Sequence, residues 1–138
     1  MLTVWIPGQP KPQGSKSIGY RKDGTAFMRE ANSKARPWRS VVIDALKPVA
    51  TEPLTEAVRV HLHFYIPMLK KPLKHPITRS SYDIDKLSRN VLDALTLAGI
   101  IHDDSQVVTL IATKEYSETP GVQIKVEPFE DFLTRFWD

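Results

Sequence analysis

The chain has 138 residues, 41% of them hydrophobic and 25% charged, which suits one globular domain over residues 1–138 and leaves no room for two cores. No apolar run approaches the ~20 residues that cross a bilayer, and the start MLTVWIPGQPKPQG lacks the basic lead and apolar core of a secretion signal. With zero cysteines, disulfides and thiolate metal sites are excluded, and a cytoplasmic protein is expected. The net charge of +3 is small but segregated: residues 1–50 carry nine Lys/Arg against three Asp/Glu, whereas residues 83–138 carry five against eleven. A basic half beside an acidic cluster suits an anionic polymer held by cations and attacked at a metal; the alternative is two merely solvated faces.

In chain order, Leu2–Ile6 is a β-rich run stopped by Pro7 and Gly8 and predicts a strand. The segment PGQPKPQGSKSIGYRKDGT, with four glycines and three prolines among Lys and Arg, predicts a long basic loop of the kind that carries function. From Asn32 or Ser33 to about Leu46, the spacing of Ala35, Trp38, Val42 and Ala45 predicts a helix stopped by Pro48. Val58, Val60, Leu62, Phe64 and Ile66 alternate with Arg59, His61, His63 and Tyr65, the period of a strand with one buried face. Residues 67–82, rich in proline and lysine, predict an extended basic loop. A helix over residues 83–98 follows, then strands over Val107–Thr113 and Val122–Val126 joined as a hairpin across Glu118–Gly121, and a short terminal helix in EDFLTRFWD. The order predicts an α/β (α+β) fold, a small mixed sheet of about four strands with helices packed on one face.

The stretch SYDIDKLSRNVLDALTLAGIIHDDSQVV holds five aspartates. On a helical wheel Ile84, Leu87, Val91, Leu95 and Ala98 form the core stripe, Lys86, Arg89, Asn90 and Asp93 point away, and Gly99 is a natural stop. Asp83 and Asp85 sit where a carboxylate caps a helix, but only one can cap, and an i, i+2 pair in extended backbone can reach one hard cation. Asp103 and Asp104 lie in the link to the next strand, where an Asx turn is the ordinary explanation. A strand running back from Asp104 beside the one ending at Ile66 would bring this turn to Asp83. Converging carboxylates repel one another until a divalent cation neutralises them, and oxygen donors without His or Cys suit Mg²⁺, with Mn²⁺ able to substitute. Phosphoryl transfer is the chemistry of such a centre.

The segments DIDKLSRNVLDAL and GIIHDDSQV, with WIPGQPKPQGSK as a weaker match, resemble the RusA family of Holliday junction resolvases: homodimeric, metal-dependent endodeoxyribonucleases frequent in phages and prophages. The resemblance implies that Asp83, Asp85 and Asp104 are the metal-binding catalytic carboxylates, with Asp103 as a helper. It also implies branched DNA as substrate, with four-way junctions, flaps and forks open, and no organic cofactor. Family members carry Asn directly after the second Asp and Lys four positions after it; here Lys86 and Arg89 stand there. Arg89 keeps a positive charge that could clamp a phosphate at the catalytic centre but cannot give up a proton. Two symmetric cuts are expected of a two-fold dimer. Candidates for DNA contacts are Lys11, Lys16, Arg21, Lys22, Lys70, Lys71, Lys74 and Lys86.

Asp93 is expected to pair with Arg89. His61 and His63 share a strand face and are read as packing or surface residues rather than a zinc pair, and His102 as a neighbour of the acidic turn. Trp5, Trp38 and Trp137 are expected as core or interface anchors. The competing classes are a non-catalytic DNA-binding protein of the same fold and a phosphatase for small phosphoesters.

Overall fold

The computed structural model describes residues 1–14, 16–30, 34–68 and 74–137, with the side chains of 16–18, 28–30, 136 and 137 left aside. Its elements are β1 (Leu2–Pro7), β2 (Lys16–Tyr20), β3 (Ala26–Glu30), α1 (Ala35–Leu46), β4 (Val58–Pro67), α2 (Ile84–Leu97), β5 (Val107–Ser117), β6 (Gly121–Pro128) and α3 (Phe129–Trp137). The predicted four-stranded mixed sheet is present, in the order β1-β6-β4-β5, with a separate two-stranded sheet β2-β3.

The alternation in β4 does what its period requires. Val58, Val60, Leu62, Phe64 and Ile66 are buried, and they meet Trp38, Val42 and Leu46 of α1 and Leu87, Val91, Ala94 and Leu95 of α2 in one core. Both helices therefore lie on one face of the sheet. On the other face α3 folds over one end: Arg59 of β4 lies over the Phe132 ring, centroid distance 4.6 Å, and donates to Glu127 at 3.3 Å. Arg135 of α3 clamps the same carboxylate with both terminal nitrogens, which holds Glu127 well below the usual carboxylate range; its burial opposes this, and the charge of Arg59 adds to the lowering. α2 ends where Gly99, at φ +79°, adopts the left-handed turn that a side chain resists.

Two expectations about the chain path are corrected. The basic loop of residues 7–25 is not all loop, since β2 and β3 pair as an antiparallel hairpin around Asp23 and Gly24. Nor do β5 and β6 form a hairpin. β4 lies between them, antiparallel to β6 and parallel to β5. Parallel neighbours need a crossover, and α2 supplies it; the short link after Ser117 then spans two strand spacings, about 10 Å, to reach β6. Gly121 at that landing point has the Ile6 carbonyl 2.5 Å from where a Cβ would sit, so the β1–β6 approach needs glycine there.

Candidate active site and DNA-binding surface

Parallel pairing decides where the aspartates lie. Val107 sits beside Val58 and Ser117 beside Pro67, so the Asp103–Asp104 turn is at the start of β4 rather than at its Ile66 end. The expected return of this turn to Asp83 does not occur within one chain. Thr96, whose hydroxyl donates to Asp104 Oδ1 at 2.6 Å, is thirteen residues along α2 from Asp83, about 20 Å at the helical rise. Among the described residues no three His, Asp or Glu side chains gather as a metal site.

At the amino end of α2, Asp83 occupies the cap position but makes no capping hydrogen bond with its side chain. Its carboxylate is exposed, 3.5 Å from Lys86 Nζ, and Asp85 is exposed in the first turn. The residue before it, Tyr82, has φ +69° and ψ 160°, and among the described residues it is the one non-glycine with positive φ. Such a backbone costs about 1–3 kcal/mol and persists where neighbours hold it. Asp83 and Lys86 line a cleft of about 310 Å³ with Pro12, Gly14, Arg79 and Tyr82.

The N-terminal segment supplies one wall of this cleft because it is tied across α2. Gln13 N–H donates to the Lys86 carbonyl at 3.0 Å, and Asn90 Nδ2 donates to the carbonyls of Lys11 at 3.1 Å and Ala35 at 3.0 Å. Lys11 Nζ is thereby brought within 3.5 Å of the Tyr82 hydroxyl. Lys114 enters from β5, donating to the Tyr82 carbonyl at 2.6 Å and to Ser81 Oγ at 3.2 Å. Burial holds its ammonium below the usual lysine range, and the Asp83 charge opposes that shift. Lys11, Arg79, Lys86 and Lys114 thus surround the Asp83–Asp85 end with positive charge, the arrangement a phosphodiester approaching carboxylates needs.

At the other end of α2, Asp104 is half-buried. Burial is the largest influence and raises its pKa, the Thr96 hydroxyl lowers it, and Asp93 and then Asp103 raise it again by repulsion. Asp93 is 3.7 Å from Arg39 of α1, so its expected pairing with Arg89 is corrected: α1 packs closely enough to offer the nearer cation. Asp103 is the capping residue of the Asp104–Gln106 turn: Gln106 reaches back to the Asp103 N–H, and the Asp103 carboxylate accepts from Ser105, N–H at 2.9 Å, which holds it below the usual range.

Of the other candidates, Arg89 is exposed on α2, one turn beyond Asp85. Arg21 and Lys22 are exposed at the tip of the β2–β3 hairpin, and Lys74 is exposed. Lys16 lies in β2 with its side chain left aside; Lys70 and Lys71 fall outside the described residues. His102 is exposed beside the acidic turn. His63 stacks on Tyr65 at 4.4 Å, as packing predicts, and burial lowers the His61 pKa. Trp38 is buried in the core, as expected, whereas Trp5 is 44% exposed and meets Tyr65 edge-on. Asn90 corrects the helical wheel: it is fully buried, because α1 and the N-terminal segment pack against the flank of α2 beside its sheet-facing stripe.

The family model for endodeoxyribonuclease RusA matches residues 7–127, which takes in the cleft, both acidic ends of α2 and, of the four-stranded sheet, all of β4 and β5, β6 up to Glu127 and only Pro7 of β1. The chain belongs to the RusA family. RusA-family membership makes it an endonuclease that binds branched DNA and acts on Holliday junctions, the enzymes that process recombination intermediates. The chain is also similar to the uncharacterized protein YqaN of Bacillus subtilis (strain 168), 33% identical over 88% of this chain and 92% of that protein. Among the described residues no helix is long and apolar enough to cross a membrane.

Proposed function

We propose that this RusA-family protein is a divalent-cation-dependent resolvase, working in the cytoplasm as a two-fold dimer, whose catalytic centre is shared between subunits. The observation that carries this is the separation of the two acidic groups to opposite ends of α2, about 20 Å apart. One chain offers Asp83 and Asp85, an exposed pair of oxygen donors on a cleft, and that is half of a hard-cation site. A second copy provides the remainder if the subunits pair antiparallel along β5, since α2 and β5 run in opposite directions and a two-fold axis then sets the Asp104 of the partner subunit near the Asp83 end.

Two features favour that pairing. β5 is an edge strand of eleven residues with open hydrogen-bonding groups. Its Val108, Leu110 and Ile111, with Leu97 of α2, are 54, 42, 40 and 63% exposed, an apolar margin on the edge that a second copy would cover.

In the assembled centre Asp83, Asp85 and Asp104 would hold Mg²⁺ or Mn²⁺, which supplies charge neutralisation of the phosphate and a water of lowered pKa. The chain's own groups do the rest. Lys11, Arg79 and Lys86 hold the phosphodiester at the cleft, Arg89 clamps a flanking phosphate one turn along α2, and the exposed Arg21, Lys22 and Lys74 contact the arms. Two such centres related by the dimer axis give the paired nicks that resolve a four-way junction.

A labelled four-way junction with Mg²⁺ should yield symmetric paired nicks that EDTA abolishes. Asp83→Asn and Asp104→Asn should each lower the rate by at least 100-fold and still bind the junction. Cutting by either variant at the wild-type rate contradicts the catalytic assignment. Junction binding by wild type with no cleavage in Mg²⁺ or Mn²⁺ would identify a non-catalytic DNA-binding member of the family.

A further inference from the structure

β5 carries a lysine where its pattern calls for an apolar side chain. Lys114 is in register with Phe64, on the face that packs toward α2, together with Leu110, Ala112 and Tyr116. A half-buried ammonium in that row is retained at a desolvation cost, so its contacts matter. Its amine meets no carboxylate within salt-bridge distance among the described residues; it is spent on the Tyr82 carbonyl at 2.6 Å and the Ser81 hydroxyl at 3.2 Å. Ser81 is itself buried, its Oγ 2.8 Å from the Pro76 carbonyl and 2.7 Å from that of Thr78.

Tyr82 is the strained residue, and Asp83 follows it. Rotating Tyr82 toward ordinary extended backbone would swing its carbonyl off Lys114 and turn Asp83 relative to α2. Asp83 has no side-chain capping bond to fix its direction. Ahead of it Lys86 Nζ lies 3.5 Å from the carboxylate and Leu87 N–H donates to its carbonyl at 3.0 Å; from behind, its direction is set through the Tyr82 peptide.

Resting on the shared-centre reading above, we infer that Lys114 is a positioning residue: its ammonium locks the Tyr82 carbonyl in the strained turn and so aims the Asp83 carboxylate at the bound cation. Lys114 does this from a strand that starts at the opposite acidic turn, so the two ends of α2 are registered by one rigid element. It touches neither substrate nor cation.

The test uses full-length protein and Lys114→Met, with Lys114→Arg as the conservative variant and Lys114→Gln as a second neutral one should methionine impair folding. Amide hydrogen exchange is measured without metal, Mn²⁺ binding by titration, junction binding in EDTA, and cleavage as separate kcat and KM. The role predicts exchange at the Ser81 and Tyr82 amides at least ten-fold faster in Lys114→Met, Mn²⁺ affinity about ten-fold weaker, and kcat lowered with KM and EDTA junction affinity within two-fold of wild type. Lys114→Arg should recover Mn²⁺ affinity to within three-fold. Unchanged exchange and Mn²⁺ binding overturn the inference, as does a loss confined to junction affinity, which would make Lys114 a phosphate contact. A wild type that neither binds Mn²⁺ nor cuts sinks the functional reading and the role together, whereas a variant equal to an active wild type sinks the role alone.

Discussion

Asn90→Ala removes a side chain that ties α2 to both α1 and the N-terminal segment. The amide is fully buried; it donates to the carbonyls of Lys11 and Ala35 at 3.1 and 3.0 Å and accepts from Arg39 Nη1 at 3.1 Å. Each lost bond between buried neutral groups costs about 1 kcal/mol net, and the Arg39 bond, with its charged donor, somewhat more. The sum is about 3–4 kcal/mol, or about 12–16 °C in melting temperature at roughly 4 °C per kcal/mol for a chain of this size. Urea or thermal unfolding followed by circular dichroism measures it, with Asn90→Asp as a companion that keeps the Arg39 contact but turns two donors into acceptors facing carbonyls, and so should also destabilise. Because Lys11 is delivered to the cleft by the same amide, junction affinity should fall in proportion to the loosened N-terminal segment. A melting temperature within about 2 °C of wild type for Asn90→Ala would show that these three bonds do not hold the N-terminal segment and α1 on α2.

The acid limb of stability should depend on Glu127. Its folded-state pKa is depressed, first by the hydrogen bonds from Arg135, so the stability it contributes is present above the unfolded value of about 4.3 and lost as pH falls through the lower folded value. Wild type should lose stability steeply below about pH 4, and Glu127→Gln should be less stable at pH 7 with a flatter acid limb; parallel curves would show that the clamp contributes nothing. Asp104 has the opposite sign. Its raised pKa means that ionisation opposes folding as pH rises through the carboxylate range, so Asp104→Asn should be more stable than wild type at pH 7 in EDTA while losing any stabilisation by Mg²⁺. A lower melting temperature in EDTA would mean that burial and the Asp93 charge do not outweigh the Thr96 hydrogen bond at Asp104.

The core was legible because it is written in local periods. The two-residue alternation of β4 and the stripe of α2 each name their buried side chains, and both are buried as read, with Ile84 at the helix start only half-covered. Pairing order is not local, which is why β5 and β6 looked like a hairpin when β4 separates them. The β2–β3 hairpin was hidden by glycine- and proline-rich composition, although Asp23-Gly24 is itself a hairpin signal. A wheel drawn for α2 assumes one covered face; α1 and the N-terminal segment cover a second, and Asn90 and Asp93 belong to it. The acidic residues were found from their spacing and their resemblance to a family pattern, but their distribution over two ends of one helix depends on parallel pairing. Lys114 left one trace, a charge at an inward strand position. Nothing in the sequence announced the backbone of Tyr82.

If one centre draws Asp83 and Asp85 from one subunit and Asp104 from its partner, mixing inactive subunits should restore it. Asp83→Asn and Asp104→Asn proteins, each inactive alone, are unfolded together at equal concentration, refolded and assayed on a four-way junction in Mg²⁺. Random pairing makes about half of the dimers mixed, and in each of these one centre carries both substitutions and the other carries none, so about a quarter of the wild-type centres are restored. The prediction is cleavage recovered to roughly that fraction, as single nicks rather than paired ones. No recovery from refolded, demonstrably mixed dimers would contradict the claim and place all the catalytic carboxylates within one chain.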